Sequence, residues 1–307
     1  MNKTLIFGHK NPDTDSIMSS LVMADLEKKL GNNEIIACRL GEVNKETSYA
    51  LNYFKVDAPE YIEKLEEETS VILVDHNEFA QSIDGIENAK ILKVIDHHRI
   101  YGFQTAEPLY YTAEPVGCTA TILYGMYKMN NIEIKPTIAG LMLSAIISDT
   151  LLLKSPTTTE KDKKALEELA QIANVDVNVY GLEMLKAGTD LSDYTAEQLI
   201  NLDAKFVDMN GNSVMIAQVN TVDINDVMNN KNELENAMNS VISEKGLNLF
   251  MLAITDILNS NSQVIALGNR TDMVEKAYNV ILENNTAFLP GVVSRKKQMV
   301  PVLQENA

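Results

Sequence analysis

Three short apolar runs in this chain each stop at a cluster of histidine and aspartate. Leu5-Ile6-Phe7-Gly8 leads into His9-Lys10-Asn11-Pro12-Asp13-Thr14-Asp15. Val71-Ile72-Leu73-Val74 leads into Asp75-His76, and Val94-Ile95 into Asp96-His97-His98. All four histidines of the chain lie in these clusters. Short β-branched runs alternating with helix-patterned segments predict a parallel sheet covered on both faces. In such sheets sites form beyond the carboxyl ends of the strands. The three clusters can therefore meet on one rim, where imidazole and carboxylate together suit a divalent metal.

The alternation predicts strands at 3–8, 34–38, 71–74 and 91–95, with a further one at 109–112. Helices are expected over 15–30, 44–54, 118–129, 136–148, 160–172 and 177–186. The polar run Ala187-Gly188-Thr189-Asp190-Leu191-Ser192 lacks a pattern. Residues 1–187 thus read as a parallel-sheet domain, 188–192 as a linker, and 193–307 as a smaller mixed α/β domain. There, strands are expected at 204–209, 213–219, 249–258 and 263–268. Asn210-Gly211 signals a hairpin turn, and helices are expected over 223–244 and 271–283. The fold class is α/β with two domains, near the number that 307 residues suggest.

The net charge of −17 argues against non-specific binding to nucleic acid or anionic membrane. Cys38 and Cys118 are far apart and set in apolar surroundings, so they read as small core residues, and a cytoplasmic setting is the default. The N-terminus shows no signal region. The apolar run from Ile138 to Leu153 is interrupted by Gly140, Ser144, Ser148 and Asp149, so it reads as a buried helix rather than a span.

Asp149 ends the run Ala145-Ile146-Ile147-Ser148 and adds a carboxylate. The candidate ligands are then His9, Asp13, Asp15, Asp75, His97 and Asp149. That set exceeds the roughly four ligands of one structural zinc. It suits two metals sharing a carboxylate, and without thiolate it favours manganese or cobalt, with magnesium able to serve. Each residue also has an ordinary explanation. His9 and Asp13 could cap a turn and the following helix, Asp15 could be a helix N-cap, and Asp149 could be a polar helix end. His76 reads as packed or as orienting Asp75, and Asp96 as a partner rather than a ligand. Far along the chain, Ser294-Arg295-Lys296-Lys297-Gln298 is a candidate phosphate clamp or a solvated basic turn.

The segments GHKNPDTDS (8–16), VDHN (74–77), DHH (96–98), SDT (148–150) and SRKKQ (294–298) resemble the DHH phosphoesterase superfamily, specifically the family II inorganic pyrophosphatases. The resemblance implies hydrolysis of pyrophosphate to two orthophosphates by a metal-bridged hydroxide. It implies two manganese ions per subunit, replaceable by cobalt or magnesium, and further magnesium arriving with the substrate. His9, Asp13 and Asp75 would hold one metal, and Asp15, Asp75, His97 and Asp149 the other. His98 would contact substrate, and Lys205, Arg295 and Lys296 would grip the phosphates. A homodimer through the N-terminal domains is implied, as is closure of the second domain over substrate. The short intervals 51–71 and 75–96 leave no room for a regulatory nucleotide-binding insert. Rival readings are a short-chain exopolyphosphatase or DHH-type phosphodiesterase, and a non-catalytic metal-binding protein. The chain lacks a GGGH-like motif and an aromatic–basic stripe for stacking bases.

Overall fold

The structure, a computed structural model, describes residues 3–307. The chain divides into two compact units, one ending at Gly188 and the other beginning at Thr189.

In the first unit, β1 (Thr4–Phe7), β2 (Ile35–Arg39), β3 (Glu60–Tyr61), β4 (Ser70–Val74), β5 (Lys90–Asp96) and β6 (Tyr110–Ala113) form one sheet. Its order is β3-β2-β1-β4-β5-β6, and every pairing is parallel. The chain runs outward from β1 to β2 and β3, then returns to place β4 on the other side of β1. Strand order therefore reverses between β1 and β4, the position where open parallel sheets leave a crevice. β1, β4 and β5 are neighbours, so residues 8–15, 75–77 and 96–98 leave the sheet side by side.

Helix α1 (Thr14–Lys29) packs on β1 and β2, and α3 (Thr119–Met129) packs on β5. Behind them α4 (Pro136–Thr150) packs against α1 and α3. Sandwiched between sheet and helix, α1 is buried along nearly its whole length. The other sheet face is covered differently from the expected helical layer. Phe7, Cys38, Val71, Leu73, Ile91 and Val94 pack there with Ile83, Ile86, Ile62, Leu65, Phe79 and Phe103, which lie on short turns and irregular segments. Helices α2 (Lys45–Phe54), α5 (Glu160–Ala173) and α6 (Val177–Gly188) complete the unit, with α2 on α4 and α6 and α5 on α4. Both cysteines are buried free thiols. Among the described residues, no helix is long and apolar enough to cross a membrane.

Two boundaries differ from expectation. Helix α6 runs through Gly188, so the unpatterned stretch begins at Thr189. Helix α4 stops at Thr150, and Leu151, Leu152 and Leu153 then take left-handed φ values of 47°, 53° and 64°. The apolar run continues through Leu153, past the helix expected over 136–148. The Thr150 hydroxyl donates to the Ile146 carbonyl and accepts from Leu153 N–H, which turns the chain.

In the second unit, β7 (Ala204–Met209), β8 (Asn212–Thr221), β9 (Leu249–Asp256), β10 (Asn261–Gly268) and β11 (Thr286–Pro290) form a sheet of order β11-β10-β9-β8-β7. Only β8 and β9 pair in parallel. Asn210-Gly211 closes the β7–β8 hairpin as expected. One face packs on α7 (Ala196–Asn201), α8 (Ile224–Met228) and α9 (Lys231–Lys245), the other on α10 (Asp272–Tyr278) and α11 (Val300–Glu305). The expected helix over 223–244 is broken into α8 and α9 at Asn229-Asn230, and β11, α7 and α11 were not foreseen.

Candidate metal centre

Asp75 is the first residue after β4 and is almost completely buried. Its φ of 59° is left-handed, a conformation aspartate tolerates better than most residues. On one side, His9 Nε2 lies 3.5 Å from Asp75 Oδ2 and 3.4 Å from Asp13 Oδ2. On the other, His97 Nε2 lies 3.4 Å from Asp75 Oδ1 and 3.7 Å from Asp149 Oδ2. Ligand atoms of His9, Asp13 and Asp75 fall within 4.8 Å of one another, as do those of Asp15, Asp75, His97 and Asp149. Asp75 belongs to both groups. A third grouping joins Asp75, His97 and His98.

Each side chain is aimed by the backbone around it. His9 Nδ1 donates to the Lys10 carbonyl at 2.8 Å, and His97 Nδ1 to the Val116 carbonyl at 3.0 Å. Both imidazoles thereby keep Nε2 as the nitrogen facing the carboxylates. Asp13, not Asp15, caps α1: its Oδ1 accepts from Ser16 N–H at 3.0 Å. Asp15 instead turns inward, accepting from Ser19 Oγ at 2.6 Å and from the first amides of α3, Thr119 N–H at 2.7 Å and Ala120 N–H at 3.3 Å. Asp149 sits in the last turn of α4. Gly8 is required by a close approach: a Cβ there would lie 1.9 Å from Ser16 Oγ, so only glycine lets the end of β1 pass beneath α1.

The electrostatics show what this cluster costs without a cation. Burial and the Asp75 charge push Asp15 up to about 7, although the His97 imidazole and the Ser19 hydroxyl work in the other direction. Burial, with Asp15 and Asp75 close by, raises Asp149 well above the carboxylate range. Burial disfavours charge on His9, but its ion pairs with Asp13 and Asp75 outweigh it and raise the imidazole to about 11. His97 goes up to about 9 in the same way, through Asp75 and Asp15. Asp75 is held below its ordinary range because the two imidazoles outweigh its burial. Yet Asp75 Oδ2 is buried with no hydrogen-bond partner among the described residues. An orphaned carboxylate oxygen among crowded acids and two imidazole nitrogens is the arrangement a hard divalent cation relieves, so this donor set fits manganese.

The remaining histidines divide. His98 is half exposed; its Nδ1 donates to Asp96 Oδ1 at 2.9 Å, and its backbone N–H donates to the same oxygen. The bond to Asp96 raises the His98 pKa. Asp96 also accepts from Asn77 Nδ2 at 2.6 Å, so it serves His98 and the turn rather than the adjacent His97. His76 is packed: its ring contacts the Val74 carbonyl and Ser82 Oγ, not Asp75, and burial lowers it to about 4.

In the second unit, the basic run forms a single wide helical turn over Arg295–Met299, begun by Ser294, whose Oγ accepts from Lys297 N–H. Gln298 Oε1 accepts from Val293 and Ser294 N–H, and Gln218 Oε1 accepts from Arg295 N–H at 3.2 Å. The Arg295 guanidinium lies 2.8 Å from Asp203 Oδ1. Lys205, two residues on, is exposed on β7, and Lys296 is exposed on the turn.

Comparison with known proteins bears on this geometry. Residues 3–146 match the DHH family N-terminal domain, and residues 182–306 match the DHHA2 domain. A probable manganese-dependent inorganic pyrophosphatase of Bacillus velezensis is 61% identical over 306 residues, covering 99% of each chain. The manganese-dependent inorganic pyrophosphatase of Bacillus subtilis is also 61% identical, with 99% of each chain covered. A crystal structure of a Methanococcus jannaschii putative family II inorganic pyrophosphatase is 42% identical, with 99% of both chains covered and a TM-score of 0.62.

The chain belongs to the manganese-dependent inorganic pyrophosphatases.

For a member of this pyrophosphatase family, reasoning from sequence missed the side chains that aim the ligands. Val116 and Thr119 carried no signal of their own. Thr119 Oγ1 donates to Asp75 Oδ1 at 3.1 Å, and Asp162 accepts from Gly117 N–H and Thr121 Oγ1, tying down the loop that precedes α3. Asp162 had one legible feature: Thr159 three residues before it is a capping-box spacing. Gln218 gave no signal, because its contacts come from Thr255 on the neighbouring strand and from a loop 75 residues away.

Proposed function

We propose that this chain hydrolyses inorganic pyrophosphate to two orthophosphates at the Asp75 site, with manganese as its metal. It is an inorganic diphosphatase, a hydrolase of the phosphoanhydride bond. The observation that carries this reading is Asp75, whose two oxygens face two separate ligand groups. Full-length relatives about 60% identical that bear the pyrophosphatase name support it.

On this reading His9, Asp13 and Asp75 hold one manganese, and Asp15, Asp75, His97 and Asp149 hold a second. Cobalt or magnesium substitutes, and further magnesium enters with the substrate. The bound metal supplies Lewis acidity towards phosphate oxygens and makes water a stronger acid. The protein's own groups do the rest. Asp75 keeps the two ligand groups in register. His98, favoured as imidazolium by Asp96, donates a hydrogen bond to a phosphate oxygen. Lys205, Arg295 and Lys296 bind phosphate oxygens, Arg295 exchanging its Asp203 partner for substrate. Phosphoryl transfer asks mainly for positioning and charge neutralisation, so no side-chain nucleophile is needed. Residues 1–188 belong to the metal-binding domain and 193–307 to the phosphate-binding domain, joined through 189–192. The enzyme acts in the cytoplasm as a homodimer.

The test is phosphate release after stripping metal and restoring manganese, with pyrophosphate, tripolyphosphate or a dinucleotide as substrate. Pyrophosphate is cleaved fastest, and only with metal. Faster release from tripolyphosphate, or cleavage of the dinucleotide, would overturn the assignment. Lys296→Ala and Arg295→Ala each lower kcat/KM about 10- to 100-fold, the range for losing a hydrogen bond to a charged group. Manganese binding stays intact in both. A variant with unchanged kcat/KM removes that residue from the clamp.

A further inference from the structure

Glu46 lies in the first turn of α2 and has no part in the chemistry above. Its Oε1 accepts a hydrogen bond from Thr14 Oγ1 at 2.6 Å and a second from Ser148 Oγ. The positions of those hydroxyls are what matter. Thr14 stands between Asp13 and Asp15 at the start of α1, and Ser148 immediately precedes Asp149 at the end of α4. One carboxylate oxygen therefore joins the two helix ends that carry three aspartates of the metal centre. Like-charged groups at those ends repel, so a tie between them has mechanical work to do.

The far side of Glu46 is closed by α6. A Cβ at Gly188, the last residue of that helix, would lie 2.9 Å from both Cβ and Oε2 of Glu46. Helix α6 is itself fastened to α2: Tyr49 Oη donates to Glu183 Oε2 at 2.7 Å, and Tyr53 packs edge-on against Tyr180. Only a residue without a side chain leaves Glu46 in its present pose.

We propose that Glu46 is a positioning residue of the metal centre, clamping the Asp13–Asp15 and Asp149 segments together, and that the bare backbone of Gly188 holds it there. The inference rests on the metal-site reading given above. Groups that orient ligands without touching metal are worth about 10- to 100-fold in metal affinity. Glu46→Ala therefore weakens manganese binding by about that factor. KM for pyrophosphate at saturating manganese stays the same, and excess manganese restores kcat. Glu46→Gln, whose amide oxygen accepts the same two hydroxyls, restores the affinity.

Gly188→Ala separates this from a general loss of stability. Alanine is the better helix former, which offsets part of the cost of its contact with Glu46, so the melting temperature falls less than in Glu46→Ala. The new methyl nevertheless displaces Glu46, and manganese affinity falls about tenfold. In the Glu46→Ala background the same change has a much smaller effect on manganese affinity, because the carboxylate it would displace is gone and only the contact with the Cβ at position 46 remains.

The experiment is manganese titration of the wild type, Glu46→Ala, Glu46→Gln, Gly188→Ala and the Glu46→Ala/Gly188→Ala double variant, with melting curves alongside. Wild-type affinity in Glu46→Ala, or an equal effect of Gly188→Ala in both backgrounds, overturns the proposal. Should Glu46→Ala fail to fold, wild-type affinity in Gly188→Ala overturns it. Manganese binding that Asp75→Asn abolishes but Glu46→Ala leaves untouched sinks this inference alone. A wild type that binds no manganese sinks the metal-site reading, and this one with it.

Discussion

Asp75→Asn abolishes manganese-supported pyrophosphate hydrolysis, by at least about a thousandfold, well beyond the ~10- to 100-fold that a ligand-orienting partner is worth. The substitution keeps shape and removes charge. Asparagine accepts left-handed backbone as readily as aspartate, so the bend at φ 59° survives. A neutral amide, however, cannot offer an anionic oxygen to each ligand group. A second readout needs no metal at all. In the metal-free protein His9 and His97 are raised to about 11 and about 9 partly by the Asp75 charge. Without that charge both imidazole titrations, followed by NMR, move down towards the ordinary value of 6.5. Retained turnover with full manganese occupancy would show that Asp75 does not bridge. Histidine titrations that stay in place would show that the pairs at 3.5 Å and 3.4 Å do not exist in solution.

What could be read in advance follows from the range of the forces involved. β1, β4 and β5 were legible because a buried parallel strand is a short β-branched run, and each ends where polar chemistry begins. Five of the six candidate ligands were legible because strand ends of one parallel sheet share a rim, whereas Asp149, in the last turn of α4, showed only as a carboxylate ending an apolar run. Less visible was which acid capped α1. Asp13 and Asp15 have the same local propensity, and only the α3 amides, over 100 residues away, draw Asp15 inward. The turn at Leu151–Leu153 was hidden for the same reason. Leucine favours helix locally, yet a turn held by Thr150, with Leu152 seated against Gly181, places three residues in a conformation costing ~1–2 kcal/mol each. Strand β11 is short, ends in proline and exists by pairing with β10. The covering of the second sheet face came from single residues on turns, which have no period to detect.

Manganese affinity climbs steeply with pH between 6 and 8, and the sign follows from the raised groups. In the metal-free protein His9 and His97 are held protonated up to about 11 and about 9, and Asp15 to about 7, with Asp149 raised as well. Metal must displace those protons, so loading both groups releases about two or more protons at neutral pH. The product of the two binding constants then rises by roughly a factor of 100 per pH unit. Stability moves in step. A group that is raised on folding binds more protons in the native state, so its contribution declines as pH increases. For His9 and His97 the stabilisation is complete below the unfolded value near 6.5 and is lost as pH rises through about 9 and about 11. Asp15 shifts in the same direction, its share being lost between its unfolded value near 3.8 and about 7. Metal-free protein therefore melts at a falling temperature as pH increases from 6 to 9, while metal-loaded protein gains from tighter binding. The gap between the two melting temperatures widens with pH. Calorimetric titrations in buffers of different ionisation heat count the released protons directly. Release of none, or a gap that narrows as pH rises, would mean that His9 and His97 are already neutral in the empty site and that the carboxylates do not hold their protons.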